Sequence, residues 1–375
     1  MPLRILFVHQ GYELYGSDRT LIQSVEAVAR RWPEAKITIL LPSVGDLQSA
    51  LLSIVDDVRI VNLAILRKAS LKSLRLRDIG GFVKRVLEAR RMMRAYDVTY
   101  INTVLVMDYI LAASVVRRPP IIHVHEIPTG AAAPFFSGLV VLSRALTIFN
   151  SEATRRGLKL PFWQRGVVVW NGAAPPSQLP SASKHSRLRL LLIGRFNSWK
   201  GQEILLRAVA SLTADQRSRL SVRLVGSVFG SQEHFVDKLQ RVIAEEGLSE
   251  IVEMCPFTPN PYEHYSWADV VVVPSIKPEP FGLVAVEAMA AGRTVVAANH
   301  GGISEIVVNG ATGTLVEPGS IQSLASVISS YMDNPARVIA EGNAGRKRFA
   351  AEFDEKYYKM KIGDIIADLS KRQVT

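Results

Sequence analysis

The chain has 375 residues, enough for two domains that each bury a hydrophobic core. Hydrophobic residues make up 48% and charged residues 21% of it, a globular composition that excludes a disordered or collagen-like chain. The single cysteine, Cys255, excludes an internal disulfide, and no apolar run is long enough to predict a membrane-spanning helix. We therefore expect a cytoplasmic protein that is neither secreted nor membrane-spanning.

The net charge of +11 is concentrated in the first half of the chain. Residues 1–180 hold 23 Lys and Arg against 13 Asp and Glu, whereas residues 181–375 hold 22 against 21. A basic first half suits nucleic acid, an anionic membrane surface or an acidic substrate, and charge alone does not choose among them.

Short apolar runs alternate with helix-length amphipathic segments along the first half. Helices are predicted at 17–32, 78–96 and 103–116. The predicted strands are nearly continuous in apolar residues, as in a parallel sheet that is covered by helices on both faces. This pattern predicts a doubly wound α/β domain over residues 1–172. Its strands are expected at 3–10, 36–42, 58–63, 97–102, 121–126, 146–151 and 167–172.

A stretch rich in Pro, Ser and Ala at 173–186 predicts an interdomain linker. The alternation of strands and helices then resumes, which predicts a second α/β domain over 187–353. Function is expected in the loops that follow the strands, where open α/β folds bind ligands. The second set of strands is predicted at 187–194, 222–226, 251–257, 269–275 and 294–300, with helices at about 201–212, 232–247, 281–292 and 320–334.

The loop after the first strand contains Gly11 and Gly16 and opens a helix that we expect Ser17 or Asp18 to cap. Glycine amides at a helix N-terminus form an anion site. The loop is not a P-loop, because Ser17 and Asp18 stand where Lys and Ser or Thr are required. The alternative interpretation is a glycine needed only for a tight turn.

The fifth strand ends in His123-Val124-His125-Glu126. Alternation puts the two histidines on one face, and only the residue at the end of the strand reaches a ligand. His125 is therefore the candidate active-site histidine. A zinc site would need a third ligand that is not evident, and a buried structural histidine is the other alternative.

The segment GRFNSWKG after the first strand of the second half places Arg195 and Lys200 in a loop that enters a helix at Gly201. Two cations and free helix amides can hold a diphosphate without a metal ion. The alternative is a pair of solvated surface cations.

The segment PSIKPEPFGLVAVEAMAAG carries two glutamates, Glu279 before a helix and Glu287 within it. A carboxylate near the first turn is placed to accept both hydroxyls of a ribose whose phosphates bind the helix amides. Glu279, outside the helix, is left free to meet a sugar. Two glutamates eight positions apart are common by chance, so the pair becomes specific only with Phe281 and Gly282 between them.

These motifs together resemble retaining glycosyltransferase family 4. The second half carries P-E-P-F-G-L-x-x-x-E-A-M-A-x-G from Pro278, after G-R-x-x-x-x-K-G from Gly194 and before G-G-x-x-E-x-V-x-x-G-x-x-G from Gly301. The first half matches less sharply, through L-Y-G-S-D-R from Leu14 and the H-x-H-E strand end. One departure is Thr294, where many relatives have proline, and we expect it to affect packing only.

The resemblance implies the GT-B fold, with two Rossmann-like domains that face each other across a cleft. Residues 1–172 would bind the acceptor, 187–353 the nucleotide-sugar donor, and 354–375 would form a helix that returns to the first domain. The implied site residues are Arg195 and Lys200 for the donor diphosphate, Glu287 for the ribose, Glu279, Phe281, Gly282 and Leu283 for the donor sugar and distal phosphate, His125 for the transferred sugar, and Gly16, which would approach the diphosphate from the other domain.

The activity implied by the resemblance is transfer of a sugar to a hydroxyl acceptor with retention at the anomeric carbon. The departing phosphate would take the acceptor proton, and the acceptor would be a glycan or lipid-linked saccharide of surface polysaccharide synthesis. No cofactor is expected besides the donor substrate. Because no D-x-D carboxylate pair is present to hold Mg²⁺ or Mn²⁺, we expect no metal.

Two other classes of protein are considered. A nucleotide-sugar epimerase has a similar architecture, but the glutamate pair and the Arg195-Lys200 loop match transferases better. A nucleic-acid-binding protein would explain the basic first half, but the chain has no recognition-helix motif and no aromatic RNA-binding strand motif. We therefore expect no nucleic-acid partner.

Residues 67–94 hold ten Lys and Arg against two acids, with Ile79, Phe82, Val83, Val86, Leu87 and Met93 at helical spacing. We expect this apolar stripe to pack on the first sheet and the cations to face outward. The cations predict peripheral docking on the anionic inner leaflet of a membrane if the acceptor is lipid-linked, and a solvated helix face is the alternative.

Overall fold

The computed structural model describes residues 2–55, 57–66, 79–178, 186–228 and 232–374. The chain divides into two compact units. The first comprises Met1–Gly172 with Glu355–Thr375, and the second comprises Ala173–Asp354. Part of the expected linker, 179–185, and part of the basic segment, 67–78, lie outside the described residues.

The first unit is built on a seven-stranded sheet whose paired strands all run parallel. Its strands are β1 (Arg4–Val8), β2 (Lys36–Leu41), β3 (Asp57–Ile60), β4 (Val98–Ile101), β5 (Ile121–Val124), β6 (Leu146–Phe149) and β7 (Gly166–Val168). Their order is β3-β2-β1-β4-β5-β6-β7. The strands predicted for the first half are confirmed, and the central ones are apolar throughout because helices cover both faces.

In the part of the first unit that the structure describes, the strands are followed by α1 (Gly16–Arg31), α2 (Asp46–Leu52), α3 (Ile79–Arg94), α4 (Met107–Ala113), α5 (Ala132–Ser143) and α6 (Glu152–Leu158). One hydrophobic core lies between the sheet and a layer made of α3, α4, α5 and α6. A second core on the opposite face contains side chains of α1 and α2. The first unit therefore has three layers, as in doubly wound folds.

The second unit repeats this architecture with six parallel strands. The strands are β8 (Leu188–Ile193), β9 (Leu220–Val225), β10 (Val252–Cys255), β11 (Val270–Val273), β12 (Thr294–Ala298) and β13 (Gly313–Val316), in the order β10-β9-β8-β11-β12-β13. The helices are α7 (Gln202–Ala210), α8 (Ala214–Ser218), α9 (His234–Glu245), α10 (Tyr262–Trp267), α11 (Leu283–Ala290), α12 (Ile303–Ile306), α13 (Ile321–Asp333) and α14 (Pro335–Arg348), which runs into a π-helical turn at Phe349–Phe353.

The last helix, α15 (Glu355–Val374), packs on α1 of the first unit. The Tyr358 hydroxyl lies 2.6 Å from Ser24 Oγ in the core, and Arg31 donates to Asp364 at 2.6 Å nearer the surface. Apolar side chains of α15, among them Ile362 and Ile366, are fully buried in the second core of the first unit. None of the helices in the described part of the chain is long and apolar enough to cross a membrane.

Several elements differ from the sequence-based expectation. Strand β13 was not predicted, because its four residues carry too little pattern to separate them from the preceding loop. Helix α5 was also missed, since it is apolar nearly all round and shows no helical stripe. The helix expected at 103–116 begins only at Met107, because Thr103 Oγ1 and the Val104 N–H donate to the Glu126 carboxylate instead of entering a helix.

In both sheets the strand order reverses once along the chain, between β1 and β4 in the first unit and between β8 and β11 in the second. The connections that leave two such neighbouring strands turn to opposite faces of the sheet. A crevice therefore opens at their carboxyl ends, and ligands of doubly wound folds bind there.

Strand β5 carries a histidine into the core of the first unit. The His123 side chain is fully buried, and its Nδ1 lies 2.7 Å from the Tyr100 hydroxyl. Its Nε2 has no hydrogen-bond partner within the described residues. Burial lowers the pKa of His123 to about 3, so the ring is neutral in the folded protein near pH 7.

The buried neutral ring predicts a loss of stability in mild acid. The unfolded chain binds a proton at His123 below about pH 6.5 and the folded chain does not, so the free energy of unfolding falls as the pH falls. We expect His123 to account for about 1 kcal/mol of this loss between pH 7.5 and 5.5. Urea titrations should show the destabilisation caused by His123→Gln shrinking by that amount over the same interval.

The exposed His234 of α9 provides the control, because His234→Gln removes an imidazole ring that is not buried in the core. A His123→Gln penalty that stays constant from pH 7.5 to 5.5 would show that the His123 ring is protonated as readily in the folded protein as in the unfolded chain.

Candidate active site

The crevice of the second unit holds a buried ion pair between residues that follow its two central strands. Lys200, in the loop after β8, places its Nζ 2.7 Å from Glu279 Oε1, in the loop after β11. The Glu279 side chain is 7% exposed and the Lys200 side chain 19%. Ser275 Oγ donates to the same Glu279 oxygen at 2.5 Å. Lys200 and Ser275 thus hold the Glu279 carboxylate, and the expectation that Glu279 meets a sugar stays a prediction.

Two glycines let the loops around Glu279 approach this closely. Gly201 has φ +81°, and a Cβ there would collide with the carbonyl oxygen of Pro274 at the end of β11. Gly301 has φ +68°, and a Cβ there would collide with the backbone of Glu279. The N–H of Gly302 donates to the Glu279 carbonyl at 2.7 Å. Gly201 and Gly301 therefore both require glycine, and together they fix where the Glu279 backbone lies.

Helix α11 begins directly after this loop. Gly282 precedes it with φ +116°, and Leu283 is its first residue, partly exposed. The Phe281 side chain is 3% exposed and packs near Phe353, with ring centroids 6.3 Å apart. Phe281 therefore anchors the loop to the core of the second unit. The first backbone amides of α11 follow Glu279 by only a few residues.

The second glutamate lies on α11, with its carboxylate bound to a buried tyrosine. Tyr265 is fully buried in α10, and its hydroxyl donates to Glu287 Oε2 at 2.7 Å. Arg293 donates from Nε to the Tyr265 carbonyl at 2.9 Å, which holds the end of α10. Glu287 is itself 7% exposed. Its carboxylate is thus held in one orientation by a neutral donor.

The second predicted cation, Arg195, lies two residues after β8 and is partly buried. Its carbonyl accepts a 2.8 Å hydrogen bond from the Gln202 side chain at the start of α7. The Asn197 side chain accepts from the backbone N–H of Trp199 and Lys200, which makes the loop a compact turn. Arg195 and Lys200 therefore lie in one ordered loop after the same strand.

The loop after β1 differs from the expectation in its cap. Helix α1 begins at Gly16, one residue after Tyr15, so neither Ser17 nor Asp18 is the capping residue. Asp18 lies in the first turn, where its Oδ2 accepts from the Tyr15 N–H at 3.0 Å. A Cβ on Gly16 would meet nothing within 4 Å, so packing within the unit does not require glycine at this position.

His125 follows the end of β5 and is 9% exposed, beside the fully buried His123. The two rings lie on one face with centroids 4.0 Å apart, as the alternation predicts. His125 Nε2 lies 2.9 Å from Asn102 Oδ1, and its Nδ1 lies 3.5 Å from Asn150 Nδ2. Burial holds the pKa of His125 well below its usual value, and the neighbouring His123 and His9 add to this effect. The ring is therefore neutral.

Glu126 follows this histidine and is bound by several donors. Gln10 Nε2 donates to its Oε1 at 3.1 Å, and Thr103 Oγ1 donates to the same atom at 2.6 Å. The His125 N–H donates to Oε2 at 3.1 Å. Burial raises the pKa of Glu126 in spite of these bonds. Glu126 thus ties together the loops that follow β1, β4 and β5.

Three asparagines at the carboxyl edge of the first sheet were not predicted. Asn102, Asn150 and Asn171 lie just beyond β4, β6 and β7 and are 0%, 3% and 4% exposed. The side-chain oxygens of Asn150 and Asn171 have no hydrogen-bond partner in the described part of the chain. A polar residue immediately after an apolar strand was the available sequence signal, and it is weak because asparagine is common in turns.

Among the described residues, no three His, Cys, Asp or Glu side chains are grouped so that they could hold a metal ion. The charged groups brought together at the crevice of the second unit are a lysine and a carboxylate. Cationic side chains and helix amides are thus the groups available there for an anionic ligand.

Comparison with known proteins finds a family that matches the second half of the chain. Residues 178–348 match the family described as glycosyl transferases group 1. A D-inositol 3-phosphate glycosyltransferase from Catenulispora acidiphila is 41% identical over 174 residues, which are 45% of this chain and 41% of that protein. One from Thermomonospora curvata is 39% identical over 201 residues, 51% of this chain and 46% of that protein. The match thus spans less than half the length of these relatives.

Solved structures match nearly the whole chain. Anabaena HepE, solved in complex with UDP and glucose, is 25% identical with a TM-score of 0.80, covering 97% of this chain and 99% of that chain. A glycosyltransferase from Rickettsia africae is 17% identical with a TM-score of 0.80, covering 98% of both chains. These comparisons do not favour the epimerase alternative. They agree with the resemblance seen in the motifs: residues 178–348 match the glycosyl transferases group 1 family, and the two Rossmann-like units of the chain are those of the GT-B fold.

Proposed function

We propose that this protein transfers a sugar from a nucleotide-sugar donor to a hydroxyl acceptor, with retention at the anomeric carbon and without a metal ion. The observation that carries the proposal is the buried Lys200–Glu279 pair at the crevice of the second unit, directly before α11. HepE, which shares the fold over its whole length, was solved with UDP and glucose. The curated relatives are D-inositol 3-phosphate glycosyltransferases.

The donor diphosphate is proposed to bind Arg195, Lys200 and the first amides of α11. A lysine ammonium has three donors, so Lys200 can bind a phosphate oxygen and keep its 2.7 Å bond to Glu279. Gly282 and Leu283 begin the helix whose N-terminal dipole favours the second phosphate. Positive charge at the departing diphosphate is then the main contribution of the protein to the rate.

The ribose is proposed to bind Glu287. Tyr265 occupies one oxygen of this carboxylate through a 2.7 Å hydrogen bond and fixes its orientation. A carboxylate has about four lone-pair positions, and the proposal assigns two of those on Glu287 to ribose hydroxyls. Burial makes these bonds stronger than they would be in water.

The transferred sugar is proposed to contact Glu279, and His125 is proposed to bind a sugar hydroxyl. Retention would follow from a same-face reaction, in which the departing phosphate oxygen takes the proton of the attacking hydroxyl as the new glycosidic bond forms. His125 is buried and neutral, which suits a hydrogen bond to a sugar hydroxyl rather than charge neutralisation. Gly16 is proposed to allow close approach of backbone to the donor phosphate, since packing within its own unit does not require glycine there.

We expect donor binding to depend on the two cations and to survive chelation. Each charge-assisted contact contributes about 1.5 to 3 kcal/mol, so Arg195→Ala and Lys200→Ala should each weaken nucleoside diphosphate binding at least about tenfold. Calorimetry with UDP, GDP and ADP measures this, and the exposed Lys347→Ala is the matched control. Unchanged affinity, or activity that EDTA abolishes and Mn²⁺ restores, would contradict the proposed metal-free site.

Substitution of Glu279 should lower turnover, whereas substitution of Glu287 should weaken nucleotide binding. Glu279→Gln keeps an oxygen for Lys200 and Ser275 but removes the charge, so we expect turnover to fall at least about tenfold with nucleotide affinity nearly unchanged. Glu287→Gln weakens the ribose hydrogen bonds and should raise the dissociation constant of the nucleotide about tenfold. Glu263→Gln, exposed in α10, is the control. Equal losses of nucleotide affinity in both variants would refute the separate roles.

We further propose that the acceptor is presented at an anionic membrane surface. Helix α3 does not bury its whole apolar stripe as expected, since Ile79, Val83 and Leu87 are 55%, 49% and 57% exposed. These three exposed residues recur every fourth position and form a stripe on the outer side of the helix. The rest of the expected stripe, Phe82, Val86 and Met93, packs on the core. Five cations and one acid belong to the same helix: Lys84, Arg85, Arg90, Arg91, Arg94 and Glu88.

A second exposed apolar feature belongs to the same helical layer. Phe162 and Trp163, in the loop after α6, are 96% and 66% exposed, and their rings meet edge to face at 5.0 Å. Lys159 and Arg165 flank them in sequence. Aromatic side chains prefer the headgroup region of a bilayer, and each nearby cation adds about 1 kcal/mol toward anionic lipid. These two features support docking of this layer on an anionic leaflet.

Sedimentation with liposomes tests the membrane proposal. We expect the protein to pellet with anionic but not with zwitterionic vesicles, and to be released by about 0.5 M NaCl. The double variant Phe162→Ser/Trp163→Ser and the double variant Val83→Gln/Leu87→Gln should each weaken pelleting. Ile339→Ser, which removes an exposed apolar side chain of the second unit, is the matched control. Equal binding to neutral and anionic vesicles would reject an anionic docking surface, and failure to pellet with either would indicate a soluble acceptor.

A further inference from the structure

A chain of buried polar side chains crosses the crevice of the first unit and ends at His125. Its members are His9 after β1, Asp18 on α1 and Asn102 after β4, which are 0%, 4% and 0% exposed. Burying polar groups is costly unless each is hydrogen-bonded. The donor site of the second unit uses none of these three residues, so their burial calls for another explanation.

The orientation of the Asn102 amide is determined by its neighbours. Its Nδ2 lies 3.2 Å from the backbone carbonyl oxygen of Ser17, which can only accept a hydrogen bond. The amide nitrogen must therefore face this side, where it also lies 3.1 Å from His9 Nδ1. The amide oxygen then faces His125 Nε2 at 2.9 Å. An amide flip would place Oδ1 against the Ser17 carbonyl oxygen and is excluded.

Asp18 determines the tautomer of His9. Asp18 Oδ2 accepts from the Tyr15 N–H at 3.0 Å, and its Oδ1 lies 2.7 Å from His9 Nε2. A carboxylate accepts hydrogen bonds, so His9 Nε2 carries the proton and donates. His9 Nδ1 must then be unprotonated, because the Asn102 amide nitrogen donates to it. Asp18, His9, Asn102 and His125 thus form a series of hydrogen bonds. In the bonds of this series up to Asn102, donor and acceptor can be assigned in only one way.

The position of the proton on His125, the last residue of the series, follows in the same way. Asn102 Oδ1 accepts, so His125 Nε2 must carry the proton, and in the neutral ring Nδ1 is left as an acceptor. Asn150 Nδ2 lies at 3.5 Å from His125 Nδ1, on the side expected for a donor. The His123 ring also packs against His125, and it is neutral.

We propose that Asp18, His9 and Asn102 are positioning residues that hold His125 as the Nε2–H tautomer. Its Nδ1, whose contact with Asn150 is long at 3.5 Å, is then the acceptor that a hydroxyl of a bound sugar takes in place of that contact. The inference rests on the proposed function only for the identity of that hydroxyl. None of the three positioning residues touches the sugar in this scheme. Their effect reaches it through the orientation and proton position of one imidazole ring.

The substitution Asp18→Asn should disrupt this series of hydrogen bonds. The single side-chain oxygen of the introduced amide can accept from the Tyr15 N–H, and its nitrogen then donates to His9 Nε2. His9 would carry its proton on Nδ1, against the Asn102 amide nitrogen, while a turn of that amide would bring its oxygen against the Ser17 carbonyl oxygen. One of these two Asn102 hydrogen bonds is therefore lost, and the amide no longer has a single orientation. His125 Nε2 would lose its fixed acceptor, and the ring would shift toward the Nδ1–H tautomer.

Nitrogen-15 NMR of the histidine rings tests this directly, without substrate. The chain has seven histidines, and the signals of His125 are assigned by their loss in His125→Gln. We expect the wild-type His125 to show a protonated Nε2 and an unprotonated Nδ1, and Asp18→Asn to shift it toward the opposite tautomer. The control is Asn62→Asp, an exposed change in the same unit that should leave the His125 signals unchanged. A wild-type His125 protonated on Nδ1 would overturn the proposal, whether or not any variant folds.

Kinetics provide the second readout. Asp18→Asn and Asn102→Leu should each lower kcat about 10- to 100-fold, because a misplaced sugar contact slows the reaction. The dissociation constant of the nucleoside diphosphate should stay unchanged, and a structural collapse would not spare it. An active enzyme whose kcat is unaffected by Asp18→Asn overturns the positioning role. A wild-type protein with the expected tautomer but without transferase activity would refute the proposed function and leave the hydrogen-bonded series standing.

Discussion

The reversal of strand order in each sheet is the constraint on which both clusters of polar residues depend. All paired strands are parallel, so their carboxyl ends meet at one edge, and the connections part between β1 and β4 and between β8 and β11. His9 and Asn102 meet at the first of these points, and Lys200 and Glu279 at the second. Buried polar groups are tolerated there because the loops leave room for a ligand between helices that turn to opposite faces.

The two crevices contain different chemistry. In the second unit a buried cation and carboxylate lie 2.7 Å apart, and either one alone would be an uncompensated buried charge. An apolar contact would hold the two loops together at lower desolvation cost, so the pair is better explained by an anionic ligand than by stability. In the first unit His123 and His125 are neutral because burial lowers their pKa. Neutral donors and acceptors suit sugar hydroxyls, whereas charges suit phosphates.

Packing also decides which side chains remain on the surface. Helix α3 turns Ala89 and Met93 into the core, and this leaves Val83 and Leu87 outside on the same helix. A stripe of apolar residues wider than the face that contacts the sheet cannot be buried completely by one helix. The remaining apolar surface is found in the layer of the first unit that also carries many of its cations, which favours a surface role for this layer over a packing defect.

The fold class, the strands other than β13, and the segments that carry Arg195, Lys200, Glu279 and Glu287 could be predicted, because apolar runs and glycine motifs are local signals. Strand β13 and helix α5 could not be predicted. Strand β13 is too short to show a hydrophobic period, and helix α5 is too uniformly apolar to show one. Only the tertiary structure showed that Glu279 is bound by Lys200, that α1 begins at Gly16, and that Asp18, His9 and Asn102 lead to His125. These contacts join residues far apart in sequence, and their hydrogen-bond directions follow from which donors and acceptors the fold brings within about 3 Å of one another.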